Sequence, residues 1–445
     1  MRIRGLLLAG FVALLVAACT SDAAETTSTS SPTTTIAVTI RPTPPASVTI
    51  DASVDAVVGE RLEALLEELK GDVEALRGLA FLDPPRVSIH GPDEFAARYG
   101  ASVDGRIDAA GLDVDTGVLR LLGLLGPGQD LRGLLAEMSG DPIAAFYDPD
   151  AGELVASGAT GELGPGERSV VVRELIQVLT DQYHRHSTRL GELAAAGRFD
   201  EMAALEALRE ADATYFQLVY LQELSDAERA AAAEVVARTP RNLPSVLGET
   251  LTLSAETGVA FVEALVTEGG IAEVDRAYGA DPLTTEKLLH PPRYFAGEPV
   301  LEVAETAVEA PGYEVVDRGT LGAIGLRSLL SEALSPGVLT QTVDGWGGDA
   351  FATLMRGDQV AWVYMFRGDD ENDAIEVAQG FLDHAEAVMG MAEPLTAGGG
   401  VEFAGTTEGE AEPYLFIDRL GDGLVVVVAS EIDTGRSLRD QAVVP

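Results

Sequence analysis

Cysteine is nearly absent: Cys19 is the only one, so no intramolecular disulfide and no cysteine-based metal cluster can form. Lysine is almost as scarce, with Lys70 and Lys287 alone, and arginine carries nearly all the positive charge. Thirty basic residues against 72 acidic ones leave a formal charge of -42. That imbalance excludes nucleic acid as a partner, because phosphates would be repelled, and it disfavours direct contact with anionic lipid headgroups. Long apolar runs are also missing, since Gly5–Val16 is short for a spanning helix and no later segment is long enough. No serine-hydrolase elbow, P-loop or dinucleotide fingerprint occurs with the flanks it needs. What is present is 445 residues at 46% hydrophobic, enough for two domains and a large core.

The lone cysteine is explained by its position. Arg2 and Arg4 form a charged start, Gly5 to Val16 an apolar core, and Val16-Ala17-Ala18-Cys19 a small-residue cleavage site. This resembles a bacterial lipoprotein signal, in which residues 1–18 are removed and Cys19 is acylated as the mature first residue. The resemblance implies an extracytoplasmic protein whose partner is the cell membrane, gripped through more than one acyl chain. Residues 19–50 read as a tether rich in Thr, Ser and Pro (T-T-S-T-S-S-P-T-T-T, then R-P-T-P-P) that cannot bury enough apolar surface to fold.

From Asp51 the pattern is helical, with Val54, Val57, Val58, Leu62, Leu65, Leu66, Leu69, Val73 and Leu76 on one face. Asp83-Pro84-Pro85 stops it, Arg86–His90 reads as a short strand, and Pro92–Tyr99 restarts a helix. Ile143–Val155 has the form strand, Asp148-Pro149 turn, strand. Helices follow over Phe199–Glu223, Ser225–Arg238, Thr257–Val266 and Ile271–Tyr278, with Ser225 and Glu228 forming a capping box. After residue 299 the texture changes. Strands are expected at Ala350–Met355, Val360–Phe366, Glu402–Gly405, Tyr414–Leu420 and Leu424–Ala429, with one helix over Asp370–Val388. The expected class is α+β: a mainly helical domain over 51–299 with a short hairpin or sheet, then a small antiparallel α+β domain over 300–445.

The stretch around which the chain is organised is Ser169–Tyr183, whose Val171, Val172, Leu175, Ile176, Val178 and Leu179 place it on a buried helix. Its centre, Arg173-Glu174-Leu175-Ile176-Gln177, has the layout of H-E-x-x-H with both histidines replaced. In that motif two imidazoles at i and i+4 bind zinc from one helix face and the Glu activates water. Arg173 cannot release a proton to bind a cation, and the amide of Gln177 is a far poorer ligand than imidazole.

Several ordered stretches together resemble a family of bacterial zinc metallopeptidases, often lipoproteins, whose signature helix reads H-E-L-x-H-A-L-Q-D-Q. Arg173 to Gln182 is the matching run, keeping Leu179, Asp181 and Gln182. Phe146-Tyr147-Asp148-Pro149, Glu210-Ala211-Asp212-Ala213-Thr214, Pro282–Pro291 and Gly345-Trp346-Gly347-Gly348-Asp349 are similar to further family segments, in order. The resemblance spans Val54 to Gln379 and implies a zincin-type fold in the first domain, with Glu174 the general base and Glu210 the third metal ligand. The departures gather at the zinc positions. Residues 173 and 177 lack imidazole, Ala211 stands for glycine, and Leu253-Ser254-Ala255-Glu256 replaces an aromatic-bearing F-P-Y. A scaffold retained around altered ligand positions implies a fold still in use after its chemistry was lost.

With no catalytic residue and no metal ligand assigned, Arg173, Glu174, Gln177 and Glu210 are remnant positions, and no cofactor is expected. Arg173 either takes the cation's place and pairs with Glu210 or reaches solvent. Asp212, His290 and Trp346 are binding candidates, though His290 reads also as a structural loop residue and Trp346 as a packed domain-junction aromatic. His184 reads as an exposed helix-terminal histidine, and His90 and His384 show no partners. The leading expectation is a membrane-anchored pseudoenzyme that binds a peptide or envelope protein. One rival is an active hydrolase with a non-standard zinc site using Glu174, Glu210, His184 or His290. Another is a solute-binding lipoprotein, against which the chain lacks two similar α/β halves.

Overall fold

The computed structural model describes residues 45–106, 108–138, 144–236, 245–304, 307–391, 394–397, 399–404, 413–442 and 444. Cys19, the expected signal and most of the expected tether lie outside them. The chain is α+β. In order come β1 (Ser47–Ile50), α1 (Ala56–Arg77), β2 (Arg86–His90), α2 (Pro92–Arg106), α3 (Ala109–Leu121), α4 (Leu131–Met138), β3 (Ala145–Asp148) and β4 (Glu153–Ser157). Helices follow: α5 (Pro165–His184), α6 (His186–Ala195), α7 (Phe199–Glu223), α8 (Asp226–Val236), α9 (Ser245–Gly269), α10 (Ile271–Tyr278), α11 (Thr285–Leu289) and α12 (Pro291–Ala296). The rest is β5 (Glu314–Gly319), α13 (Gly322–Leu330), α14 (Pro336–Asp344), β6 (Trp346–Arg356), β7 (Gln359–Gly368) and α15 (Glu371–Ala387). It closes with β8 (Leu395–Ala397), β9 (Gly400–Ala404), β10 (Tyr414–Leu420), β11 (Gly423–Ala429) and α16 (Ile432–Arg439).

The first sheet has the order β1-β2-β4-β3, with β1, β2 and β4 parallel and the edge strand β3 reversed. The reversal follows from the turn. Asp148 accepts the N–H groups of Asp150 and Ala151, both at 3.1 Å, and Gly152 supplies the positive φ of 60°. Residues 47–50, expected in the tether, instead form β1. Its four residues alternate polar and apolar, and their pairing with β2 is parallel and distant in sequence, so a Thr- and Pro-rich surrounding concealed it.

Helix α5 is buried on every side from Ser169 to Thr180 because it lies between two layers. Leu66, Leu69 and Val73 of α1, with Val87 and Leu154 of the sheet, meet Val172, Leu175 and Leu179, while Ala213, Phe216 and Tyr220 of α7 close the other side. Pro165 opens the helix, Glu167 reaches back to the Gly164 N–H at 2.6 Å, and Arg185 in the left-handed region (φ 50°) ends it.

The second sheet is antiparallel throughout, in the order β5-β6-β7-β11-β10-β9-β8. One face of it joins α7, α9, α13 and α15 in the largest apolar cluster, where Phe199 stacks on Phe351 at 6.1 Å. The change of texture at residue 300 is thus a change of element type, and the core runs across it. Two histidines that looked unpartnered hold elements together. His384 lies 2.8 Å from the Leu122 carbonyl, and His90 lies 3.0 Å from Arg98. Among the described residues no helix is long and apolar enough to cross a membrane.

Candidate functional site

Positions 173, 174 and 177 lie within one turn of α5 and face α7, which presents Glu206, Arg209 and Glu210 one turn apart. Arg173 donates to Glu174 at 2.5 Å and to Glu210 across the gap between the helices. Arg209 donates to both Glu206 oxygens at 3.0 and 2.7 Å, to Glu210 at 2.5 Å, and to the Gln177 amide oxygen. The Gln177 NH2 group stands 3.3 and 3.4 Å from the two Glu210 oxygens. Glu174 also accepts the Tyr147 N–H at 2.9 Å, so a backbone donor of the edge strand β3 finds its partner in the site.

Three carboxylates and two guanidiniums thus share one interior, with every side chain at most 8% exposed. Solvation of Arg173 is therefore excluded. Burial pushes the Glu210 carboxyl above its usual range; Arg173 and Arg209 pull it back, and Glu206 and Glu174 push the same way as burial. Arg209 stays charged despite its burial because Glu206 and Glu210 surround it. Beside this group His186 is wholly buried, 3.2 Å from Asp181. Burial drives its pKa down to about 3 against the pull of Asp181, so the ring is neutral. Burial opposes the charge on Asp181 too, but hydrogen bonds from the Tyr147 hydroxyl at 2.6 Å and from the Ser187 N–H and hydroxyl hold its pKa low.

The donor set does not fit zinc. Where two imidazole nitrogens would be needed, the structure has N–H groups that point at the carboxylates and have no lone pair to offer. The Glu210 oxygens, which a metal would need, are already taken by Arg173, Arg209 and Gln177.

The other sequence candidates lie elsewhere. Asp212 is fully buried, 3.1 Å from Arg77, and accepts the Tyr278 hydroxyl at 3.0 Å, the surroundings of a structural tie. Trp346 is likewise buried, and its N–H donates to Asp349 at 2.8 Å, as a packed aromatic at the junction would. His290 is half-buried and 3.0 Å from Asp344. His184 is not an exposed helix end; its ring stacks on Tyr278 at 4.2 Å and lies 3.3 Å from Asp275. Neither histidine joins the carboxylates. Ala211 packs under Gly258 of α9, where a Cβ would come within 2.9 Å of the Ala211 methyl, so a side chain at 258 would push the two helices apart. Leu253, Ser254 and Ala255 lie on α9, with side chains outside the described residues. Sequence reasoning missed Arg209 and Glu206 as members of the site. Their i,i+3 spacing on a helix was the available signal.

A family model described as a domain of unknown function, DUF8575, matches residues 311–439, which hold most of the second sheet. No curated protein matches the chain. No solved structure matches it either.

Proposed function

We propose that the protein is an envelope lipoprotein, anchored through Cys19, whose metallopeptidase-like domain is catalytically inert and acts by binding a peptide or an envelope protein. The observation that carries this reading is the Arg173 guanidinium held between Glu174 and Glu210. A fixed cation there neutralises the carboxylates that zinc would otherwise hold, so the helices stay packed while Glu174 has no bound water to activate. Support also comes from the closure of the site, since a ligand must be met on the outer surfaces rather than at buried Glu210.

The test measures turnover and binding on one preparation. Purified chain incubated with zinc and an unstructured protein such as casein leaves it uncut, and cross-linking on intact envelopes yields a discrete partner. Cleavage that Glu174→Gln abolishes would overturn the inert reading. A chain that neither cuts nor cross-links to any envelope component would overturn the binding role.

A further inference from the structure

Helix α13 begins at the junction of the helical layers with the second sheet, and two buried carboxylates divide its first N–H groups. Asp349 of β6 accepts Leu321 N–H at 2.8 Å, Gly322 N–H at 2.9 Å, the Trp346 indole at 2.8 Å and the Tyr364 hydroxyl at 3.2 Å. Asp200 of α7 works through a relay: Ile324 N–H donates to the Thr285 hydroxyl at 3.1 Å, and that hydroxyl donates to Asp200 Oδ1 at 2.5 Å. Thr285 N–H adds a second bond to the same oxygen at 3.1 Å, while the Asp200 N–H donates to Thr320 at 3.1 Å. Asp200 also lies directly on Gly322, where a Cβ would come within 1.8 Å of Oδ1. The other oxygen, Oδ2, is buried with no partner.

With one oxygen buried and unbonded, the ionised carboxylate is costlier than the neutral acid, because a bare charge loses more on leaving water than an unpaired O–H does. Among the described residues no arginine or lysine hydrogen-bonds either acid. From its own element Asp200 faces Glu201 and Arg198, and Arg198 is committed to Glu201 and Asp281. From α11 it faces Glu286 and Lys287, and the Lys287 ammonium donates to the Pro282 carbonyl at 2.9 Å. From β6 and β7 it faces Asp349 and Tyr364, and α13 brings its backbone N–H groups.

We propose that Asp200 and Asp349 form a proton-operated latch that fastens the start of α13, and with it the second sheet, to the helical part of the molecule. With one of the two acids neutral, the pair satisfies the helix terminus without like-charge repulsion. With both ionised, they repel each other across Gly322 and the start of α13 loosens. Burial raises Asp200 to about 7, with Asp349 pushing it further up, and burial raises Asp349 to about 6. Raised pKa values give a contribution fully present below the ordinary carboxylate range and lost as pH climbs through neutrality.

Hydrogen exchange on the full chain at pH 5.5 and pH 8, corrected for intrinsic rates, reads the latch directly. Protection over residues 320–330 is expected to fall about tenfold at pH 8, the equivalent of one pKa unit, while α5 is unchanged. Asp200→Asn, isosteric with the protonated acid, holds that protection constant between the two pH values. Infrared difference spectra between pH 5.5 and pH 8 add a second reading: the loss of protonated carboxylic-acid stretch over that interval is smaller in Asp200→Asn, where Glu286 still titrates. Equal protection at both pH values, an undiminished drop in Asp200→Asn, or an equal loss of carboxylic-acid stretch in Asp200→Asn and the unmutated chain would each overturn the proposal.

Discussion

Arg173 on α5 and Glu210 on α7, 37 positions apart, meet side chain to side chain with 4% and 2% of their surfaces exposed. Removing one partner of such a pair strands a charge in the interior. Arg173→Leu is therefore expected to cost about 3–5 kcal/mol in urea unfolding. Arg173→Leu with Glu210→Leu recovers part of that loss, giving a clear coupling energy in the double-mutant cycle. Losses that simply add would mean that the two groups do not meet in solution.

The same geometry sets what restoring the motif should do. Arg173→His with Gln177→His puts two imidazoles at i and i+4 opposite Glu210. Zinc should then bind at one ion per chain and raise the melting temperature in proportion to the logarithm of its concentration. No zinc-dependent shift would show that the gap between α5 and α7 has closed beyond recovery, with Arg209 left in the way.

Asp212 should behave as a strut. Asp212→Ala leaves the fully buried Arg77 with Asp275 alone, 2.6 Å away, and severs the tie from α7 to α1 and Tyr278. A stability loss of about 3–5 kcal/mol is expected by chemical denaturation, with partner capture by the folded fraction unchanged. Normal stability with lost capture would return Asp212 to the list of binding residues.

Glu286 gives a pH dependence with a definite sign. Burial raises its carboxyl to about 8; Arg293, 3.2 Å away, opposes this, and Asp369, Glu298 and Asp200 add to it. The folded chain then holds a proton that the unfolded chain releases near its ordinary value of 4.5. The contribution is complete below that value and is lost as pH rises to about 8, at no more than about 1.4 kcal/mol per pH unit. Glu286→Gln should reduce the slope of unfolding free energy between pH 5 and 8, leaving the share that Asp200 and Asp349 contribute. An unaltered slope would assign the dependence elsewhere.

Much of the scaffold was legible because its signals are local. Phe199–Glu223, Ile271–Tyr278 and Tyr414–Leu420 end where glycine, proline and capping residues say they should. What stayed hidden depends on distant partners. β1 becomes a strand only through β2, and α9 starts at Ser245, well before the expected Thr257. His184 reads as a solvated helix end until α10 lays Tyr278 over it. The site was partly legible in the same way. Arg173 and Gln177 share a face by spacing alone, and spacing also puts Glu206 on the Glu210 side of α7, but it does not bring that side to α5. Its arrival depends on how α7 crosses α5.

The most direct measurement is the metal content of the purified chain after incubation with excess zinc and removal of unbound ion. With Arg173 seated between Glu174 and Glu210, zinc should remain far below one ion per chain and should not change with Glu210→Ala. One tightly held zinc per chain, lost in Glu210→Ala and accompanied by peptide cleavage, would contradict an inert site.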